Sequence, residues 1–223
     1  MRKSKFVFFA FVFSFLFSFE LFSQAKPKIK KTIRGEVELP KALFSNKAFR
    51  QTFSGLVNVG ASMNLGFHNF NVGTFASLTE YQIAYRFIGD PNSIQSTYTG
   101  GLKFTYDMLT SNSKGIFSPF VAPGYSFIKY TKLQYITTPP SQTKYNALSL
   151  NFGITYNMML IDDWTGVGFV LGYSLIDHVY DPYALSLIQI YPNRTDNKGD
   201  LQNFFFGFCV YFDFARPRDA GDE

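Results

Sequence analysis

The sequence predicts an all-β protein, an antiparallel up-and-down transmembrane β-barrel of eight strands. Three observations predict it. Long stretches alternate apolar and polar residues with a period of two, the mark of a strand whose two faces meet different surroundings. The polar faces hold Ser, Thr, Asn and Gly with few charges, while the apolar faces are broad and aromatic. The chain also opens with a segment that reads as an export signal, and no later apolar run reaches the roughly 20 residues of a transmembrane helix.

Composition bounds the rest. A chain of 223 residues suits one domain. It carries 28 Phe, 14 Tyr and a single Trp, and its 17% of charged residues falls below the usual share of about 25% for soluble domains. The formal net charge of +5 is small and scattered, so no nucleic-acid partner is expected. One cysteine excludes an internal disulfide, so cysteine pairing says nothing about compartment.

MRKSK supplies a positive start and FVFFAFVFSFLFSFELF an apolar stretch. Ser23 and Ala25 then occupy the small-residue positions of a cleavage site, predicting a mature start at Lys26. The competing reading is a membrane-anchor helix, disfavoured by the short run, its break at Glu20 and the cleavage site. No cysteine lies near residue 25, so a lipoprotein anchor is not expected. The domain reading is a signal peptide over 1–25, a barrel over 26–214 and a short periplasmic tail over 215–223.

The strands follow in order. In 33–40, Ile33, Gly35, Val37 and Leu39 alternate with Arg34, Glu36 and Glu38. The competing reading of this stretch is a periplasmic lead-in or plug. In 51–67, Phe53, Val57, Val59, Ala61, Met63, Leu65 and Phe67 share one face, against Ser54, Asn58, Gly60, Ser62 and Asn64. A strand over 70–87 changes phase around Thr79, which predicts a bulge there. In 97–109, Tyr98, Leu102, Phe104, Tyr106 and Met108 oppose Thr97, Thr99, Lys103, Thr105 and Asp107. The strand over 117–135 contains Pro119 and Pro123, poor residues for a central strand. In 146–158, Leu148, Leu150, Phe152, Ile154, Tyr156 and Met158 oppose Ser149, Asn151, Gly153, Thr155 and Asn157. In 165–176, Val167, Phe169, Leu171, Tyr173 and Leu175 oppose Gly166, Gly168, Gly172 and Ser174. In 201–214, Phe204, Phe206, Phe208, Val210, Phe212 and Phe214 oppose Asn203, Phe205, Gly207, Cys209, Tyr211 and Asp213.

A soluble sandwich also alternates, but its polar face turns outward and carries charge. Small neutral polar faces suit a narrow interior, and aromatic faces suit lipid. Lipid offers the backbone no hydrogen-bond partner, so a spanning sheet must close on itself. The connections alternate between short (66–70, 110–116, 159–164) and longer (88–96, 136–144, 179–200). Bacterial barrels have short periplasmic turns, longer outside loops and an even strand number. Residues 33–40 make the count even, and both termini are then periplasmic.

The end of the last strand resembles the C-terminal assembly signal of outer-membrane proteins, with Phe205, Gly207, Val210, Phe212 and Phe214 at its positions. It departs from that signal in the tail ARPRDAGDE, since the signal usually ends a chain. The whole resembles the small outer-membrane β-barrel proteins of Gram-negative bacteria, with a S-Q-A signal ending and Y-F-D-F finish similar to those of the Bacteroidota. The resemblance implies an outer-membrane location, outer-membrane lipid as surroundings and the barrel-assembly machinery as a partner.

Candidate chemistry is thin. His68 falls in a predicted turn and reads as a plain surface residue. Asp177, His178 and Asp181 fall at the outer rim of a strand, where some outer-membrane lipid deacylases and proteases place a catalytic His. Ser174 lies about 13 Å from His178 by rise alone (four residues at ~3.3 Å). Another strand would have to supply the nucleophile. Asp162 and Asp163 read as turn caps before a cation site, Cys209 as an interior filler, and no cofactor is expected. Lys103 and Asp107 point inward, with Arg34, Glu36 and Glu38 as inward partners. Eight strands leave an interior just wide enough to fill with side chains, so a wide pore is not expected. The leading reading is a non-enzymatic outer-membrane barrel, structural or binding through its outer loops. It includes an accessory subunit docked through its barrel wall or the apolar 179–200 loop. The alternatives are a rim hydrolase using His178 and a narrow channel.

Overall fold

The computed structural model describes residues 29–41, 49–50, 53–67, 69–83, 94–110, 115–131, 143–160, 165–180 and 200–214. The 1–25 segment, His68, Asp162, Asp163, Asp181, most of the 179–200 loop and the 215–223 tail lie outside them. The described residues form nine strand segments: β1 (Ile29–Lys41), β2 (Phe53–Phe67), β3 (Phe70–Ile83), β4 (Ile94–Tyr106), β5 (Met108–Leu109), β6 (Gly115–Thr131), β7 (Lys144–Met159), β8 (Thr165–Val179) and β9 (Asp200–Asp213). β5 continues β4 past Asp107, so the segments make eight staves.

Every pairing is antiparallel between sequence neighbours, and β1 pairs with β9 to close the ring. The closure runs from Thr32–Asp213 to Lys41–Phe204. The segment read as strand 33–40 is therefore the closing stave, and it is longer than the alternation showed. One rim carries the short connections, two of them tied by backbone bonds from Thr110 N–H to Gly115 O (2.9 Å) and Leu160 N–H to Thr165 O (2.8 Å). The start of β1 and the end of β9 share this turn rim. The longer connections leave from the opposite, loop rim.

Three expectations need correction. The phase change in β3 is not a bulge at Thr79. The irregularity lies in the partner strand, where the register slips between Gly55 and Val57. β3 keeps one phase, with Asn71, Phe75, Thr79 and Tyr81 all inward. The pattern changes because the interior turns from polar to aromatic near the loop rim. The slip at Leu56 also inverts the start of β2, since one extra residue moves every side chain beyond it to the other face. Phe53, expected among the outward residues, is inside and buried.

Third, both prolines lie within a central stave. The β6–β7 ladder runs past Pro119 and Pro123 without a break. On the other side, the β4–β6 ladder jumps from Gly101–Gly124 to Phe104–Val121, then stops at Thr105–Phe120. The missing donors of the prolines fall where that ladder is open. The second gap contains Asp107, whose N–H donates to Asn69 O at 2.6 Å and whose carboxylate accepts from Ser118 Oγ at 2.7 Å.

Candidate functional site

The interior is built in layers. At the loop rim the inward positions are aromatic: Phe53 opens β2, Tyr81 and Tyr130 near the ends of β3 and β6, and Tyr180 follows β8. Phe49, fully buried, fits among them. Its ring stacks on Phe53 at 5.0 Å and meets Tyr81 and Tyr180 edge-on at 5.3 Å. Ile128, Ile176 and Leu201 complete this cap. Sequence reading missed it, because each strand lends only one or two residues and the bulge hid Phe53.

Below the cap lies a chamber of about 40 Å3, lined by Glu38, Asn58, Thr79, Asn151, Ser174 and Asn203 among others. The buried Oδ1 atoms of Asn151 and Asn203 have no protein partner among the described residues. The size and polarity suit about three waters. Phe120, Ala122, Val170 and Phe205, with Phe75 against them, form a second apolar layer.

The ionic groups lie inside the barrel too. Lys103 Nζ pairs with Glu36 Oε1 at 2.6 Å and sits 4.7 Å from the centre of the Phe120 ring. Arg34 donates from Nη1 to Thr155 Oγ1 at 3.0 Å and lies over Tyr211 at 5.4 Å. Glu38 Oε2 accepts from Asn58 Nδ2 at 2.5 Å, and Asn58 Oδ1 accepts from Thr79 Oγ1 at 3.1 Å. The Lys103–Glu36 and Arg34–Thr155 contacts cross the lumen and tie non-neighbouring staves together, while Glu38, Asn58 and Thr79 link directly paired positions of β1, β2 and β3. The inward Lys103, Asp107, Arg34, Glu36 and Glu38 were all legible from parity. Pairing of Lys103 with Glu36 was not, because the tilt of the staves decides which inward residues share a level. Cys209 points inward as expected, its Sγ 3.0 Å from Asn157 Oδ1.

The rim residues do not converge. Asp177 is exposed on the outer face, while His178 is half-buried and turned inward, its ring 4.6 Å from that of Tyr145. Ser174 lines the chamber, with Ile176 at the inward position between it and His178. Among the described residues no group of three or more His, Cys, Asp or Glu is placed to hold a metal ion.

The five C-terminal signal positions divide between the two faces. Phe205 and Gly207 point inward and are buried; Val210, Phe212 and Phe214 point outward. A Cβ on Gly207 would run into the carbonyl of Val37 and the Cα of Glu38, so glycine lets β9 approach β1 at the closing seam. A Cβ on Gly172 would strike the Phe205 ring, so that glycine makes room for the inner aromatic layer.

No known family profile matches the sequence. No curated protein matches it either. Among solved structures the chain is similar to Neisserial surface protein A, with 11% identity over 84% of this chain and 97% of that one, at a TM-score of 0.46. It is also similar to the N-terminal β-barrel domain of Pseudomonas aeruginosa OprF (11% identity, 85% and 100% covered, TM-score 0.42). A third is Ail, the attachment invasion locus protein of Yersinia pestis (10% identity, 84% and 99% covered, TM-score 0.40).

Proposed function

We propose that this protein is an integral outer-membrane barrel with a sealed lumen, non-enzymatic, which stiffens the envelope or binds through its loop rim. One observation carries the reading: the barrel is inverted relative to a water-soluble protein. Val37, Leu65, Leu148, Phe169, Phe206, Phe208 and Phe212 are exposed on the outside, while Arg34, Glu38, Lys103 and Asp107 are buried within. Water would penalise that exterior, and lipid does not. Its height also fits. The apolar face of β9 runs from Phe204 to Phe214, about 34 Å of strand at ~3.4 Å per residue. Tilted by about 45°, it spans ~24 Å, close to the apolar band of about 25 Å on outer-membrane barrels. Both chain ends described here leave from the turn rim, and in this reading that rim is periplasmic. The 179–200 connection then faces outside and is where a partner subunit would dock.

Two measurements test the reading. In fractionated cells the protein should partition with the outer membrane, and its gel position unboiled should differ from that after boiling, because a closed hydrogen-bonded ring resists SDS. Recovery from the soluble fraction would overturn it. In planar bilayers the aromatic cap and the packed layers beneath it should block ion flow, so no large stable conductance is expected. Reproducible porin-sized openings would show that the lumen is not sealed.

A further inference from the structure

The chamber below the aromatic cap carries an unbalanced charge. Two carboxylates line it, Glu36 and Glu38, against one ammonium, Lys103. Lys103 Nζ is committed to Glu36 at 2.6 Å and to the face of the Phe120 ring. Glu38 is 3% exposed. Among the described residues it has no ion pair, and its one hydrogen bond comes from Asn58 Nδ2. Arg34 lies outside the lining and is engaged with Thr155 and Tyr211. A carboxylate held in a closed interior without a counter-charge is costly.

The hydrogen bonds around the chamber point the same way. Asn151 pairs with Ser174 and Ser174 with Asn203, so these three lining residues stand in one row across β7, β8 and β9. The Oδ1 atoms of Asn151 and Asn203 are buried with no protein partner among the described residues, and Asn203 as a whole is 5% exposed. On the other wall Glu38, Asn58 and Thr79 are paired across β1, β2 and β3. Thr79 Oγ1 donates to Asn58 Oδ1, and Asn58 Nδ2 donates to Glu38 Oε2. The donors of that chain are therefore aimed at Glu38 and not at the facing amide oxygens. Oxygen acceptors thus meet from two walls around a net negative charge. Water can donate to all of them but leaves the charge in place. A proton on Glu38 cancels the charge, but its single O–H cannot serve two amide oxygens. A cation does both. Carboxylate and amide oxygens are the ligands of hard cations. One surplus carboxylate calls for one positive charge, and a divalent ion would leave a surplus of its own.

We propose that the chamber holds one monovalent alkali cation, bound by the Glu38 carboxylate and the amide oxygens of Asn151 and Asn203, with the Ser174 hydroxyl beside them. A volume of about 40 Å3 admits such an ion with water completing its shell. The site needs the closed lumen and is independent of what surrounds the outer wall. Wild type, Glu38→Gln and Asn151→Ala/Asn203→Ala are refolded in alkyl maltoside micelles. The heat-modifiable band reports barrel closure before any salts are compared. Urea unfolding, which opens the chamber to the solution, is then followed at one pH and constant ionic strength. Choline chloride is replaced stepwise by sodium or potassium chloride, with calcium chloride in a parallel arm. The unfolding constant of the wild type should fall by up to about ten-fold for each ten-fold rise in sodium or potassium, the limit for one bound ion. Glu38→Gln should lose this dependence, and in choline it should be no less stable than the wild type. The double alanine variant keeps the carboxylate but should lose most of the shift, and it carries the comparison if Glu38→Gln does not close. A wild type indifferent to sodium and potassium would overturn the site, and stabilisation in choline on lowering the pH would then assign the balancing charge to a proton. Equal salt dependence in all three proteins would overturn it as general screening. A stronger response to calcium than to sodium would overturn the monovalent assignment.

Discussion

Replacing Phe208 by Arg is expected to remove most correctly assembled protein, whereas replacing its chain neighbour Cys209 by Ser leaves assembly nearly unchanged. Phe208 is 67% exposed, at the middle of the outer face of β9. Arg at mid-membrane on the lipid face of a barrel costs about 2–4 kcal/mol, a large part of the roughly 5–15 kcal/mol that separates a folded domain from its unfolded chain. Cys209 faces the lumen beside Asn157 Oδ1. A serine hydroxyl can donate to the same oxygen, so the change should be worth about 1 kcal/mol or less. Phe208→Leu adds a test of solvent. Among the described residues the Phe208 ring has one aromatic neighbour, Phe169, at 5.3 Å, and lipid refills the space. Its loss should stay under about 1 kcal/mol. The fraction of heat-modifiable protein measures all three. Equal damage from Phe208→Arg and Cys209→Ser would show that the faces are misassigned. A harmless Phe208→Arg would show that the surroundings are not lipid.

Lys103→Met is expected to destabilise the barrel by about 3–5 kcal/mol, the usual cost of removing one partner of a buried ion pair. Lys103 is 2% exposed, and its departure leaves the Glu36 carboxylate in the lumen without the ammonium 2.6 Å away. Met keeps most of the stem volume against Phe120, so a loss of packing does not account for the effect. The double variant Lys103→Met/Glu36→Gln should recover much of the stability, since position 36 then carries no charge that has lost its ammonium. The coupling between the two sites, read from denaturant midpoints of the folded band in a double-mutant cycle, should exceed about 1 kcal/mol. Additive losses would mean that the two side chains act independently and that the lumen is not held by this pair.

Both expectations trace back to what is readable in the chain. Alternation alone assigned the faces of β4, β7, β8 and β9, because the pleat has a period of two and each face meets a single solvent. The same parity placed Arg34, Glu36, Glu38 and Lys103 inside. The even count argued that residues 33–40 belong to the barrel, and the pairing of β1 with β9 is where the fold confirms it. Parity fails where a strand departs from regular pairing. The slip before Val57 turned Phe53 inward against its apparent phase, and two open stretches of the β4–β6 ladder admitted Pro119 and Pro123. Sequence also carries no information about height. Which inward residues share a level depends on strand tilt and stagger, properties of the closed ring and not of any one strand. The sequence by itself therefore determined the class of fold, its inside and its outside. Only the tertiary structure decided that Lys103 meets Glu36, that Phe49, Phe53, Tyr81 and Tyr180 gather into a cap, and that Asn151, Ser174 and Asn203 line one chamber with Glu38, because each of these joins residues that only closure and register bring together.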